Sequence, residues 1–194
     1  VGMGKIVVIE HLTLDGVMQA PGRPDEDTRG GFEHGGWAQE RNDPAMAAAM
    51  GERMGESWAL LAGRRTYVDF ASFWPKQEPN PFTDALNRVQ KYVVSATLEE
   101  PLEWVNSVLL KGDPVTAIEG LKGGVDENLV VFGSGVLVQA LMRADLVDEF
   151  VLQIHPLVLG AGRRLFEDST TASLRLVDSV TTATGVVIAI YGAR

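Results

Sequence analysis

An apolar run that ends in two arginines, Leu60-Leu61-Ala62-Gly63-Arg64-Arg65-Thr66, is where this 194-residue chain first suggests chemistry. Arginine presents a planar fork of donors that matches phosphate oxygens. If the run is a buried strand and a helix starts after it, free backbone N–H groups join in attracting an anion, and the Thr66 hydroxyl adds a donor. The same residues also read as a helix cap with two solvated cations. A second apolar run ends in small hydroxyl residues, Val93-Val94-Ser95-Ala96-Thr97, as a phosphate shelf or a simple turn. A third is Val131-Phe132-Gly133-Ser134-Gly135-Val136. Paired glycines let a backbone approach a pyrophosphate, with the next helix pointing its N-terminus at the charge, although a tight turn needs glycines too. The third motif is not the dinucleotide fingerprint G-x-G-x-x-G, because Val138 takes the third glycine's place. Phe132 and Val136 also exclude the G-x-S-x-G elbow around Ser134.

Something must bring these three segments together. Residues 5–16 open with β-branched types and close on a turn, which predicts a strand. Residues 21–37, rich in Gly, Pro and charge, predict a long mobile loop. A helix is expected from Pro44, capped by Asn42 or Asp43 and stopped at Gly55. Ser57 to Gly63 reads as a buried strand and Arg65 to about Phe70 as a short helix, followed by a Pro-rich loop. Leu86 to Lys91 reads as a helix end. Strands are expected at 92–94, 105–110 and 128–132, a capped helix from Asp113, a helix after Gly135 and a long strand over 148–160. The C-terminal residues from Ser173 read as an antiparallel hairpin about Ala183-Thr184-Gly185. Alternating strands and helices predict one α/β domain over 1–194 with a mostly parallel sheet. In such sheets ligands bind beyond the carboxyl ends of strands, where all three motifs fall.

Composition narrows the function. A net charge of −9 lacks the basic excess of a nucleic-acid surface, so no such partner is expected. There is no cysteine, which excludes thiol nucleophiles and Cys-ligated metals. His11, His34 and His155 have no metal-ligand spacing, and no metal is expected. No segment is apolar for the length of a membrane span and no leader opens the chain, so the expectation is a soluble, cytoplasmic protein. Val1 and Gly2 read as residues added ahead of a start at Met3.

Taken in order, "TLDG" at Thr13 to Gly16, "GRRTY" at Gly63, "VVSATL" at Val93, "VVFGSGVLVQALMRADLVDEF" at Val130 and "HPLVLGAGRRLFED" at His155 resemble the dihydrofolate reductase-like superfamily. The likeness is strongest to the branch of the reductase half of the riboflavin-pathway deaminase–reductase and its stand-alone relatives. It implies a three-layer α/β/α fold, NADPH as cofactor, a small-molecule substrate and a homodimer through strands 150–154 and 186–191. By the family pattern, Arg64 meets the adenosine 2′-phosphate with help from Ser95. Gly63, Arg65 and Thr66 line the adenosine and pyrophosphate side. Gly133, Ser134 and Gly135 hold the pyrophosphate through backbone N–H groups, with Val136 and Leu137 also on the cofactor side. Asp15 matches the acidic residue near nicotinamide and substrate, although Asp-Gly is also a common turn pair.

The implied activity is NADPH-dependent hydride transfer to a C=N or C=O carbon of a small heterocyclic or sugar-derived substrate. The alternatives are a non-catalytic NADPH-binding dimeric module or a true dihydrofolate reductase. A hydrolase using Ser134 is a distant third. Folate-reducing members carry a carboxylate within the helix before the Gly-Arg strand. Here that helix reads DPAMAAAMGERM, with Asp43 at the cap and Glu52 near the end. Met46, Met50 and Met54 recur at helical spacing and read as core packing. Arg163 and Arg164 are a candidate substrate-phosphate pair or a solvated one, and His155 reads as structural. Phe32 and Trp37 are expected to close over a ligand or to pack the loop down.

Overall fold

A computed structural model describes residues 4–168 and 170–193; the expected added start at Val1 to Met3 lies outside the described residues. In chain order come β1 (Ile6–Thr13), α1 (Pro44–Met54), β2 (Trp58–Gly63), α2 (Arg64–Phe73), α3 (Pro81–Arg88), β3 (Lys91–Val94) and β4 (Ser107–Leu110). Then follow α4 (Pro114–Lys122), β5 (Asn128–Phe132), α5 (Gly135–Arg143), β6 (Glu149–His155), β7 (Leu174–Thr181) and β8 (Val187–Ala193). The strands form one mixed sheet in the order β4-β3-β2-β5-β1-β6-β8-β7, the expected α/β class with a C-terminal antiparallel hairpin. Two compact units emerge: residues 4–7 with Met54–Leu146, and Val8–Arg53 with the chain from Val147 onward.

The first unit is built on parallel pairs, β2 with β3, β2 with β5, and β3 with β4. Ala59 to Ala62 and Leu129 to Val131 are wholly buried, which is why β2 and β5 read as unbroken apolar runs rather than alternating ones. From β2 the chain steps outward to β3 and β4, then returns to the other side of β2 as β5. The strand order therefore reverses between β2 and β5, the topological switch point of an open α/β sheet.

Helix α3 begins earlier than expected, inside the stretch read as a Pro-rich loop. Asn80 caps it, its Oδ1 accepting from the N–H groups of Phe82 and Thr83 (both 3.0 Å), and Pro81 fills the first position. The expected helix end at Lys91 is instead the first residue of β3. The Lys91 ammonium, fully buried, donates to the carbonyls of Asn87, Val89 and Val105 and lies 4.5 Å from the Trp104 ring centre. Burial pushes its pKa down to about 8.

In the second unit β6 and β7 pair antiparallel with β8. β6 ends at His155, before Pro156, so the expected long strand is shorter. Strands 150–154 and 186–191, expected to lie exposed, are largely buried within the sheet. Within the hairpin the exposed apolar side chains sit mostly on β7: Leu176 is 54% exposed and Val177 and Val180 41% each, with Val187 at the start of β8 at 38%.

Residues 21–37, expected to be a mobile loop, instead fold down around their two aromatics. Phe32 and Trp37 are buried with Val17 and Ala20, against Leu157 and Leu159. The Trp37 indole donates to the Gln19 carbonyl at 2.8 Å. Gln19 donates to the carbonyls of Asp27 and Arg29 and accepts the Arg163 N–H. Composition registered the Gly, Pro and charge there; it did not register two large apolar rings with a floor to pack on.

Candidate functional site

At the switch point the end of β2 passes directly into α2 and the end of β5 into α5. The two turns are tied to each other. The Gly63 N–H donates to Ser134 Oγ at 3.0 Å, and the Ser134 N–H donates to Thr66 Oγ1 at 3.0 Å. Ser134 adopts the left-handed conformation (φ 54°, ψ 38°) that aims both its groups across the crevice. Gly133 is also left-handed (φ 57°), and a Cβ there would come within 3.1 Å of Thr66 Oγ1. At Gly63 an added Cβ would find only ordinary contacts, so this glycine is not sterically required.

The tie has a consequence for the helix N-termini. A helix leaves its first N–H groups without intrahelical acceptors. In α3 and α4 side chains fill the gap: Asn80 in one, and in the other Asp113, whose carboxylate accepts the Thr116 N–H at 2.9 Å. Helices α2 and α5 have no side-chain cap: the cap position of α2 is Gly63, which has no side chain, and at α5 Ser134 has turned its hydroxyl to Gly63. The N–H groups of Gly135, Val136 and Leu137 open α5, and those of Arg64, Arg65 and Thr66 open α2. Two partial positive charges thus stand at the ends of adjacent parallel strands. The Ser134 N–H, expected among the pyrophosphate donors, is already engaged with Thr66.

Arg64 and Arg65 are both exposed, and neither forms an ion pair among the described residues. Gly63 is in register with Val94 across the β2–β3 pair, so Ser95 leaves the sheet level with Arg64. Ser95 is buried, and its Oγ accepts from the N–H groups of Thr97 (3.1 Å) and Leu98 (3.0 Å), fixing the turn after β3. Its hydroxyl proton remains the one donor it can offer.

Asp15 lies in the second unit and acts there as an anchor. Thr13 donates to its Oδ1 at 2.6 Å, and the N–H groups of Leu159 and Gly160 donate to its two oxygens at 3.2 and 2.8 Å. These bonds, the Thr13 hydroxyl first, pull its pKa down to about 2 against a smaller opposing effect of burial. The carboxylate is therefore ionised at neutral pH and spans two segments of the fold. Arg164 Nε donates to the Asp15 carbonyl at 2.8 Å. Exposed Arg163 lines a cavity of about 300 Å³ with Arg29, Phe32 and His34. There Arg29 is already held by the Asp27 carboxylate.

One side-chain pair escaped the sequence reading altogether. His11 Nδ1 and His155 Nε2 are 2.9 Å apart, and the Trp37 ring meets His155 edge-on at 5.2 Å. Burial lowers both pKa values, His11 to about 3 with help from His155, and His155 to about 4 with help from Arg41. The two histidines are 144 residues apart in sequence, and no local pattern links them.

Open helix N-termini at the reversal of a parallel sheet define an α/β protein with an anion-attracting crevice. The chain belongs to the RibD C-terminal domain family, whose model matches residues 5–188. It is 30% identical over 138 residues to the uncharacterized protein YyaP of Bacillus subtilis, covering 68% of this chain and 72% of that one. Its fold is similar to that of a putative riboflavin biosynthesis protein from Shewanella sp. PV-4 (TM-score 0.72, 23% identity), covering 98% of this chain and 99% of that one. It is also similar to a pyrimidine reductase-like protein from Corynebacterium diphtheriae (TM-score 0.65, 12% identity), with 98% and 92% covered. A dihydrofolate reductase from Enterococcus faecalis complexed with NADP(H) gives a TM-score of 0.60 at 15% identity, with 98% and 95% covered. The resemblance read from the sequence motifs, to the dihydrofolate reductase-like superfamily and its riboflavin-reductase branch, is borne out.

Proposed function

We propose that this chain is an NADPH-dependent reductase of a small heterocyclic or sugar-derived substrate. The observation that carries the reading is the selective lack of caps. The two helices at the switch point leave their N-terminal N–H groups open, whereas α3 and α4 are capped by their own side chains. The dihydrofolate reductase neighbour complexed with NADP(H) supports the choice of anion.

The residues present suit the group. The open N–H groups of Gly135, Val136 and Leu137 would take the pyrophosphate, with the Gly133 turn letting it approach closely. The Arg64 guanidinium would take the 2′-phosphate, the Ser95 hydroxyl donating beside it, and Arg65 and Thr66 would line the adenosine side. Bound, the cofactor would supply the hydride that reduces a C=N or C=O carbon. This chain's own part is to hold and orient. Asp15, ionised and tethered to the Leu159–Gly160 backbone, serves as a positioning residue. Folate reduction is disfavoured, because the middle of α1 carries alanine and methionine. Asp43 is spent on the N–H groups of Ala45 and Ala183, and Glu52 is exposed beside Arg53.

Fluorescence titration of the whole chain tests the cofactor assignment. NADPH should bind at least tenfold more tightly than NADH; equal affinity for the two, or none for either, overturns it. The same lack of an α1 carboxylate favours a second reading, a nucleotide-binding module without turnover. NADPH binding with no oxidation across pterins, aminopyrimidines and imines would select it.

The protein is also proposed to be a homodimer, joined through the exposed apolar residues of β7 rather than through β6 and β8. Light scattering at micromolar concentration should report twice the chain mass, and Val177→Lys with Val180→Lys should reduce it to one. A monomeric wild-type chain overturns the proposal.

A further inference from the structure

Alternate residues of a strand share a face, so Glu149, Val151, Gln153 and His155 of β6 point the same way. At one end of this row Glu149 lies 3.9 Å from the Arg53 guanidinium; at the other His155 meets His11. Between them Gln153 is 0% exposed, and neither its Oε1 nor its Nε2 has a hydrogen-bond partner. His155, also 0% exposed, spends Nε2 on His11 and leaves Nδ1 without a partner. Three polar atoms on two alternate residues are thus buried and unmatched. Such atoms are rare in native folds and call for a partner that a ligand or an internal water supplies.

The row specifies what that molecule must offer. A carboxamide presents a donor and an acceptor side by side, and its complement is another amide-type edge. Burial keeps both imidazoles neutral, so the Gln153–His155 end of the row offers hydrogen bonds and no charge to pair with an ion. His11 is only half-buried and marks where the row meets solvent.

We propose that Gln153, backed by His155 Nδ1, is a specificity-determining residue that recognises a neutral cyclic amide edge, –NH–C(=O)–, on the ligand. The word substrate for that ligand rests on the reductase reading; the recognition row itself does not. It also explains how a chain without a carboxylate in the middle of α1 can hold a polar heterocycle.

The test uses the whole chain with two probes, 2-pyridone, which carries the edge, and N-methyl-2-pyridone, in which the donor is blocked. Ligand-observed NMR should show 2-pyridone binding at least tenfold more tightly than its methyl analogue. Gln153→Met should erase that difference. It should also leave the melting temperature of the free protein unchanged or higher, since it removes unmatched polar atoms without losing volume. Equal binding of the two probes by the wild-type chain overturns the proposal. So does a Gln153→Met protein that melts lower and still discriminates, the mark of a carboxamide satisfied by internal water alone. NADPH titration of the same samples separates the two claims. Discrimination without NADPH binding sinks the reductase reading and spares the row; NADPH binding without discrimination does the reverse.

Discussion

Arg64→Ala should weaken NADPH binding by about 10- to 100-fold while leaving NADH affinity within a factor of two. A hydrogen bond to a charged group is worth roughly 1.5–3 kcal/mol, and each 1.4 kcal/mol is tenfold. Arg64 is suited to deliver most of that. It has no ion pair to break among the described residues, stands at an open helix N-terminus, and is flanked by the fixed hydroxyl of Ser95. Arg64→Lys should recover only part of the loss, because an ammonium cannot grip two phosphate oxygens in one plane. Raising the salt concentration should narrow the gap between wild type and variant. The measurement is a pair of fluorescence titrations on each protein. A loss shared equally by NADPH and NADH places Arg64 away from the 2′-phosphate and overturns the assignment.

The second large effect is a loss of folding stability on mild acidification. The folded-state values of His11 and His155 are lowered to about 3 and about 4, from an ordinary value of 6.5. Below pH 6.5 the unfolded chain therefore binds protons that the folded chain refuses. Stability is full above pH 6.5 and falls as the pH drops toward the folded values. For His155 alone the interval is worth about 3 kcal/mol, at roughly 1.4 kcal/mol per pH unit. Asp15 does not blur the window. Its folded value of about 2 keeps its contribution intact until the pH falls below its ordinary value of 3.8. Urea denaturation at pH 7.0 and pH 4.5 should show the loss, and His155→Gln should flatten the slope. Equal unfolding free energies at the two pH values would refute the account, as would an unchanged slope in the variant.

What the sequence disclosed was local. Each cofactor-side motif is a strand end running within a few residues into a helix start or, at Ser95, a turn, so its type could be read from apolar runs, glycines and hydroxyls alone. Asp113-Pro114 announced α4 in the same way, and Gly55, with φ of 79°, ended α1 where expected. The same signal at Asn80-Pro81 is hidden among neighbouring prolines, so the start of α3 lies outside the expected helix, of which only the end is read. Register was harder. The last strands read as exposed because apolar residues recur in all of them, yet only their order in the sheet leaves β7 bare and covers β6 and β8.

The remaining features depend on partners far away in the chain. Nothing near Ser134 shows that its N–H is taken by Thr66, 68 residues earlier. Nothing near Asp15 shows that amides 144 and 145 residues later converge on its carboxylate. His155 and Gln153 looked like ordinary strand residues until the fold set His11 beside one and left the other unmatched.

The reciprocal bonds between the β2–α2 and β5–α5 turns bear on how such a crevice can change over evolutionary time. Thr66 and Ser134 each lend a side-chain oxygen to the other turn, so altering either one strands one backbone N–H and altering both strands two. Neither change compensates for the other, so each is selected against on its own. Descendants of this chain that drift to a new anion should change the freely projecting Arg64 and Arg65 first and this clasp last.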